Sequence, residues 1–176
     1  MNKAYLGIGG NLGDRQANLG TAISYIKAEI GIITSISSIY QTKAWGIENQ
    51  PDFLNQCLVA ETKLSPEEVL RTALAIEQKM GRVREQKWYT RIIDIDLLFY
   101  NQLIINTKKL IIPHPHLHQR NFVLAPMAEI APDFVHPILQ KNIAQLYREC
   151  EDKLPVDKLV FTKFKSGRNR QLTTDN

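Results

Sequence analysis

The stretch RIIDIDLLFY, residues 91–100, most constrains the fold, because it predicts a buried strand that nevertheless carries two carboxylates. Its apolar residues form the near-continuous run that is typical of an interior strand. Asp94 and Asp96 are unusual there, since aspartate is depleted in strands. Side chains alternate across a strand, so both carboxylates lie on one face, about 7 Å apart at about 3.3 Å rise per residue.

Folding alone gives no reason for the pair Asp94 and Asp96. Two unpaired carboxylates this close repel each other and resist desolvation, whereas a divalent cation would remove both objections. Magnesium is commonly held by one or two carboxylates together with substrate phosphates. The alternative is an edge strand whose polar face meets water, and the D-x-D pattern by itself does not separate the two interpretations.

The segment GRVREQKWYTR, residues 81–91, precedes the aspartates and surrounds one acid with four basic residues. A nucleotide triphosphate bound with Mg²⁺ needs carboxylates for the metal. It also needs guanidinium groups for the phosphate oxygens on which charge develops during transfer. The basic segment and the acidic strand together therefore indicate a phosphate site. The alternative is a solvated basic loop whose arginines pair with the aspartates themselves.

The length and the termini predict one domain in the cytoplasm. A chain of 176 residues buries enough surface for a single core. The N-terminus does not resemble a signal peptide, and no apolar run approaches the length of about 20 residues that crosses a bilayer, so we expect no membrane partner. Cys57 and Cys150 lack metal-ligand spacing, which predicts free thiols.

The net charge of +4 is a property of the C-terminus. From Lys153 to Asn176 there are six Lys or Arg and two Asp, which leaves 16 basic and 16 acidic residues in the rest of the chain. The sequence therefore predicts a domain over 1–152 and a basic tail over 153–176 that is partly disordered. A neutral body gives no reason to expect a nucleic acid partner, and we expect a monomer.

The order of apolar patterns predicts the fold class. A helix is expected after the glycine-rich turn GGNLGDR, and a second helix begins at SPEE with the residue types of a capping box. The order is β-α-β-β-α-β, which predicts an α+β, ferredoxin-like fold: a mainly antiparallel sheet with helices on one face, plus C-terminal helices. Strands are predicted over 3–9, 32–40, 53–62 and 91–100, and a last helix over 138–150.

Two further groups of side chains are candidates for binding. Phe53 and Asn55 share one face of the third strand and can stack on and hydrogen-bond a flat heterocycle. Equally, Phe53 can be a core residue and Asn55 a turn cap. The histidines at 114, 116 and 118 can hold a metal, but prolines at 113 and 115 favour an extended loop in which one histidine contacts a ligand.

Four segments, in this order and spacing, closely resemble the 6-hydroxymethyl-7,8-dihydropterin pyrophosphokinase family of folate biosynthesis. They are GGNLGDR, YQTKAWGIENQPDFLN, EQKMGRVREQKWYTRIIDIDLLFY and IPHPHLHQRNFVLAPMAEIAP. The resemblance spans about residues 4–137. It implies transfer of the β,γ-pyrophosphoryl unit of ATP to the hydroxymethyl group of the pterin, leaving AMP. ATP and 6-hydroxymethyl-7,8-dihydropterin would be the substrates and two Mg²⁺ ions the cofactors.

The resemblance also implies a role for individual residues. Asp94 and Asp96 would be the ligands of the two Mg²⁺ ions, and Arg82 and Arg91 would neutralise the transferring phosphates as catalytic residues. The residues implied around ATP are Arg84, Trp88, Leu97, Lys109, His114 and Arg120. Those implied around the pterin are Thr42, Trp45, Phe53, Asn55 and Phe122.

Two other functions fit parts of the sequence. A nucleotide-sugar transferase can use a D-x-D metal motif, but it does not account for the arginine segment or for Phe53 and Asn55. An RNA-binding module can share the same alternation of strands and helices, with bases stacked on aromatic residues of the sheet. Asp94 and Asp96 would repel RNA phosphates in such a module unless metal were bound.

Overall fold

A computed structural model of the chain describes residues 1–43, 50–82 and 90–160. Three of the predicted site residues, Trp45, Arg84 and Trp88, lie outside the described residues. The elements in chain order are β1 (Asn2–Gly10), α1 (Arg15–Glu29), β2 (Ile32–Ile36), β3 (Tyr40–Thr42), β4 (Phe53–Thr62), α2 (Pro66–Lys79), β5 (Asp94–Tyr100), β6 (Ile105–Asn106), β7 (Ile111–Ile112), α3 (Asn121–Ile130), α4 (Ile143–Glu149) and β8 (Val156–Lys158).

The main sheet is antiparallel and has β1 between β5 and β4. The sheet continues from β4 through β3 to β8, and β2 pairs with the other half of β4. If β2 and β3 are counted as one interrupted strand, the four strands of the βαββαβ pattern pair in the order expected of a ferredoxin-like sheet. The predicted fold class is therefore confirmed. Strands β6 and β7 form a separate two-stranded ladder.

Each face of the sheet has its own hydrophobic core. Alternation along β1 and β4 sends one set of apolar side chains toward α1 and α2, where Leu6, Leu58 and Ile76 are fully buried. The other face packs against α3 and α4 through residues such as Phe99 and Met127. The C-terminal helices therefore cover the face that α1 and α2 leave open.

Helix α2 begins where the sequence predicts. The Ser65 side chain accepts a hydrogen bond from Glu68 N at 3.3 Å, and the Glu68 carboxylate accepts one from Ser65 N at 2.7 Å. This is a complete capping box with Pro66 at the first helical position. Val69, Ala73 and Ile76 then form the buried stripe that packs on the sheet.

The predicted strand over 32–40 is wrong as one continuous strand, because serines interrupt the ladder. Ser37 Oγ accepts the hydrogen bond of Cys57 N at 3.0 Å, in the place of a main-chain carbonyl. Pairing stops at Ile36 and resumes at Tyr40 as β3, which aligns with the first residues of β4. The break turns one long strand into two short ones.

The last helix is shorter than predicted and begins at Ile143 instead of 138. Residues 136–141 form a turn closed by a hydrogen bond from His136 N to Lys141 O at 2.8 Å. Asn142 then caps α4 by accepting from Gln145 N. The predicted boundary after residue 152 stays a prediction, but within the predicted tail Val156–Lys158 form a strand paired with β3.

In the described part of the chain, no helix has both the length and the apolar character needed to cross a bilayer.

The capping box gives the first testable prediction. We expect Ser65→Ala to lower the free energy of unfolding by about 1 kcal/mol, because the N–H of Glu68 loses its acceptor. Ser24→Ala is the matched control, since Ser24 lies inside α1 and its hydroxyl donates back to Gly20 O of the same helix; its effect should be near zero. Urea unfolding measures both, and equal midpoints for the two variants would contradict the prediction.

Candidate active site

Glycines of β1 form the floor of a cleft between the aspartates and the amide of Asn55. In the sheet register, Gly9 lies opposite Asp94 on one side and opposite Asn55 on the other. Gly7 is likewise opposite Asp96. Because these positions carry no side chains, the space above β1 stays open between β5 and β4.

The close approach of Asn55 explains the residue type at Gly9. A Cβ added there would lie 2.5 Å from Asn55 Oδ1 and 3.2 Å from Leu54 O. Gly7 and Gly9 were not among the predicted site residues. The signal was present, since glycines two residues apart inside a strand mark one face on which another group approaches closely.

Asp94 is enclosed by arginines on both sides. Arg91 Nη1 lies 2.7 Å from Asp94 Oδ2, and Arg82 Nη1 contacts Asp94 Oδ1. The pairing of the arginines with an aspartate, one of the sequence alternatives, is therefore present. The arginine contacts described above are to Asp94, whereas the side chain of Asp96 is exposed and lines the cleft.

Arg82 is oriented by a second, buried acid. Glu77 is 2% exposed, and its Oε2 lies 2.6 Å from Arg82 Nη1 while its Oε1 accepts a hydrogen bond from Ile95 N at 2.8 Å. Glu77 thus ties the end of α2 to β5 and to the arginine that contacts Asp94. The buried charges are paired, as buried charges in proteins must be.

The electrostatic balance at Asp94 favours an additional positive charge. Burial raises the pKa of Asp94 to about 6, and the nearby carboxylates of Asp96 and Glu77 add to the rise. Arg91 and Arg82 lower the same pKa but do not offset burial. The two arginines therefore do not fully stabilise the ionised carboxylate of Asp94. A cation bound by Asp94 and Asp96 would stabilise it further.

Two phenylalanines of the cleft each lie under an arginine. The guanidinium of Arg91 is 5.2 Å from the ring centroid of Phe53, and that of Arg120 is 5.8 Å from the ring centroid of Phe122. Both distances are within the range of a cation–π interaction. Arg91 consequently connects Asp94 directly to an aromatic ring.

Asn55 lies inside the sheet and is not a turn cap. It is 8% exposed, and its Nδ2 donates to Thr42 Oγ1 at 2.9 Å. Thr42 is opposite Phe53 in the β3–β4 register, so the amide, the hydroxyl and the ring lie together. Thr42 and Asn55 both line the cleft, where they offer polar groups to a ligand edge.

His114 is held at the side of the cleft by its main chain, which donates from N to Leu98 O at 2.9 Å. Burial lowers the pKa of His114, with Arg120 and His116 acting in the same direction and Asp96 opposing them. The imidazole is therefore neutral near pH 7. Among the described residues, no group of three or more His, Cys, Asp or Glu side chains is arranged to hold a metal ion.

All predicted site residues that the structure describes line one cleft of about 2300 Å³, which is large enough for two small substrates. Leu97 packs into the core on the α1 and α2 side of the sheet and is also one of the residues that line the cleft. Lys109 is exposed at the turn between β6 and β7. The residues brought together are Arg82, Arg91, Asp94, Asp96, Leu97, Lys109, His114, Arg120, Thr42, Phe53, Asn55 and Phe122.

Asn11 joins two segments of the cleft and was missed by the sequence analysis. It is 1% exposed, donates from Nδ2 to Pro51 O at 3.1 Å, and accepts from Arg91 N at 2.9 Å. Asn11 N and Leu12 N both donate to Arg91 O. The glycine-rich turn thus fixes the main chain of Arg91, which is why β5 begins at Asp94 rather than at residue 91.

Comparison with known proteins gives a consistent family. A family model described as 7,8-dihydro-6-hydroxymethylpterin-pyrophosphokinase matches residues 5–132. The chain is 45% identical over 149 residues to the 2-amino-4-hydroxy-6-hydroxymethyldihydropteridine pyrophosphokinase of Synechocystis, covering 84% of this chain and 76% of that protein. The protein of the same name from Aquifex aeolicus is 43% identical over 149 residues, covering 85% and 92%.

A solved structure has the same fold. The crystal structure of wild-type Plasmodium falciparum HPPK-DHPS matches with a TM-score of 0.70 at 19% sequence identity. The match covers 84% of this chain and 44% of that one, so the chain spans less than half the length of the longer protein. At this identity the likeness shows the fold alone.

The turn after β1 gives the second prediction. A Cβ at Gly10 would lie 2.2 Å from Ile92 O, a main-chain atom that cannot move without shifting the start of β5. We expect Gly10→Ala to lower the free energy of unfolding by about 2 kcal/mol or more. Gly20→Ala is the control, because a Cβ there meets nothing within 4 Å and alanine favours the helix. Thermal unfolding compares the two, and a Gly10→Ala variant as stable as Gly20→Ala would contradict the prediction.

Proposed function

The chain belongs to the 7,8-dihydro-6-hydroxymethylpterin-pyrophosphokinase family, and from that premise we propose how its cleft carries out the reaction. The protein is an ATP-dependent pyrophosphokinase that transfers a pyrophosphoryl group to hydroxymethyldihydropterin in folate biosynthesis. The observation that supports the assignment of roles is that Arg91 contacts both Asp94 and the ring of Phe53.

The pterin ring lies between Phe53 and Phe122 in this proposal. Stacking of aromatic rings contributes about 0.5–1.5 kcal/mol per pair beyond the burial of their area. Thr42 and Asn55 give the ring a polar edge to recognise, and their mutual hydrogen bond holds that edge in place. Trp45 is proposed beside them on the grounds of the family resemblance.

The phosphates of ATP lie against the arginines that flank Asp94. The Arg91 side chain is 38% exposed and lines the cleft, so its guanidinium can meet a phosphate oxygen there. Arg82, held by Glu77, supplies a second guanidinium. Both act where charge develops during transfer, which is the electrostatic contribution that phosphoryl-transfer enzymes depend on.

The remaining ATP contacts come from the opposite side of the cleft. Neutral His114 offers a ring nitrogen for hydrogen bonding without adding charge, while Lys109 and Arg120 are cations that line the same cleft. Leu97 supplies apolar surface there. Arg84 and Trp88 belong to the proposed set through the family resemblance.

We propose that Asp94 and Asp96 hold Mg²⁺, and that two ions bind. The fit rests on the donor set, two hard oxygen ligands on one face of a strand, and on the raised pKa of Asp94 despite its two arginines. When bound, Mg²⁺ neutralises phosphate charge and orients the groups of an in-line displacement. The chain's own residues then act by positioning: the floor glycines admit the substrates, and Arg91 keeps the ring and the phosphates adjacent.

The cytoplasmic location and the monomeric state belong to the proposal as well. Cys57 and Cys150, the two cysteines of the sequence, are buried free thiols, as a reducing compartment allows. The domain of residues 1–152 with a basic tail over 153–176 is likewise proposed. The family assignment replaces the nucleotide-sugar transferase and RNA-binding hypotheses.

Product analysis tests the reaction. Purified protein is incubated with Mg²⁺ and ATP, with and without 6-hydroxymethyl-7,8-dihydropterin, and the nucleotides are separated. We expect AMP only when both pterin and metal are present, because the leaving group of a pyrophosphoryl transfer is AMP. Formation of ADP would indicate transfer of a single phosphoryl group and would overturn the proposal.

Replacement of Asp96 tests the metal site. We expect Asp96→Asn to reduce turnover at least about a hundredfold, since an amide lacks the charge that the cation requires. Folding should be unaffected because the side chain is exposed. Asp133→Asn is the control at an exposed aspartate outside the cleft residues and should retain full turnover. Turnover of Asp96→Asn equal to that of the control would remove Asp96 from the metal site.

A further inference from the structure

The carboxylate of Glu129, near the end of α3, joins three separate parts of the chain. It accepts hydrogen bonds from Ser38 N at 3.1 Å, Ser38 Oγ at 2.9 Å and Tyr40 Oη at 2.8 Å. Lys158 Nζ lies 3.2 Å from Glu129 Oε1. One side chain therefore binds α3 to β3, to the segment just before β3, and to β8.

The positions of these residues connect Glu129 to the proposed pterin site. Tyr40 and Thr42 are two residues apart on β3, so they share a face of the strand. Phe122 and Glu129 are seven residues apart on α3, about two turns, so they lie near the same face of the helix with a separation of about 10 Å along its axis. Glu129 and Tyr40 thus meet where the C-terminal end of α3 reaches β3, while Phe122 lies at the other end of the helix, beside Val123, whose main-chain O accepts from Cys57 Sγ of β4.

Strand β8 closes the outer edge of β3. Tyr40 pairs with Lys158 and Thr42 with Val156, while the opposite edge of β3 pairs with β4. Leu159 N also donates to Ile39 O at 2.8 Å. A strand of three residues has too few hydrogen bonds to hold its own position, so β3 depends on both neighbours and on Glu129.

The protonation states of Glu129 and Tyr40 favour the hydrogen bond between them. Burial raises the pKa of Glu129, but the hydrogen bonds from Tyr40, Ser38 and Lys158 outweigh burial and hold it below its usual range. Burial and the same carboxylate raise the pKa of the Tyr40 phenol. Near pH 7 Glu129 is therefore an ionised acceptor and Tyr40 a protonated donor, which gives the short charge-assisted bond that is observed.

We propose that Glu129 is a positioning residue for the dihydropterin subsite, fixing α3 against β3 so that Phe122 and Thr42 keep the spacing that the ring requires. The inference rests on the proposed pterin site of the preceding section. Glu129 does not touch the substrate; it acts through Tyr40 and through the helix that carries Phe122. Lys158 extends the same connection to β8, which gives the chain beyond residue 152 a part in substrate binding.

A different result is expected if Glu129 affects only the global stability of the protein. The side chains of Glu129 and Lys158 are 27% and 50% exposed, so their ion pair is partly screened by solvent and contributes little to folding. Loss of the positioning contact should instead appear as weaker pterin binding with little change at the ATP side. The separation of the two KM values is therefore the informative measurement.

The test is steady-state kinetics of Glu129→Gln with pterin and ATP varied in turn. Glutamine keeps the size of the side chain, but it presents one oxygen and an amide that cannot accept from the donors around it. We expect KM for the pterin to rise about three- to tenfold, while kcat and KM for ATP stay within about twofold. Tyr40→Phe, which removes one donor, should produce a smaller rise in the same direction and serves if Glu129→Gln folds poorly.

Glu29→Gln is the matched control. The side chain of Glu29 is 28% exposed, about the same as the 27% of Glu129, and its ion pair with Lys79 at 2.8 Å joins α1 to α2 on the other face of the sheet. We expect its KM values to equal those of the unmodified protein. A pterin KM for Glu129→Gln and Tyr40→Phe that is unchanged, or an ATP KM that rises equally, would overturn the positioning role.

Asn55→Ala separates this inference from the proposed function. If Asn55→Ala raises the pterin KM and the Glu129 and Tyr40 variants do not, the pterin site stands and the positioning role fails. If Asn55→Ala leaves the pterin KM unchanged, the pterin site itself is misplaced, and the positioning role falls with it.

Discussion

The structure depends on the pairing of a partly buried aspartate in β5, the strand at one end of the described order of the main sheet. Asp94 is stable there only because Arg82 and Arg91 approach it from both sides and Glu77 holds Arg82 in turn. Arginines can reach the carboxylate because the adjacent strand has glycine opposite it. The same absence of side chains that admits the arginines also creates the space for substrates.

Sequence patterns predicted the elements whose signals are local. The capping box at Ser65 and the apolar residues of β4 act within a few residues, so the start of α2 and both ends of β4 were predicted correctly. The order of the elements then led to the ferredoxin-like class, because short connections leave few ways to arrange them. Asp94 and Asp96 were predictable as a pair since strand alternation places them on one face.

Contacts between distant parts of the chain could not be predicted in the same way. Asn11 is buried because its amide meets Pro51 and Arg91, and Glu129 matters because Tyr40 lies beside it. Each residue type is common in loops and helices, and only the register of the folded sheet shows its partners. Ser37 ended a predicted strand for the same reason, since its acceptor role depends on Cys57 twenty residues away.

The two halves of the cleft are joined by shared side chains. Arg91 pairs with Asp94 and lies over Phe53, and Arg120 lies over Phe122 at the start of α3. In the proposed site, a shift of either ring would therefore also disturb an arginine that we assign to the phosphates. Because a transfer reaction succeeds only when the attacking hydroxyl and the phosphate are held in line, this linkage would make correct ring binding a condition for correct phosphate placement in the proposed mechanism. In that mechanism, recognition of one substrate is coupled to the alignment of the other through arginines that contact both an aromatic ring and the cleft.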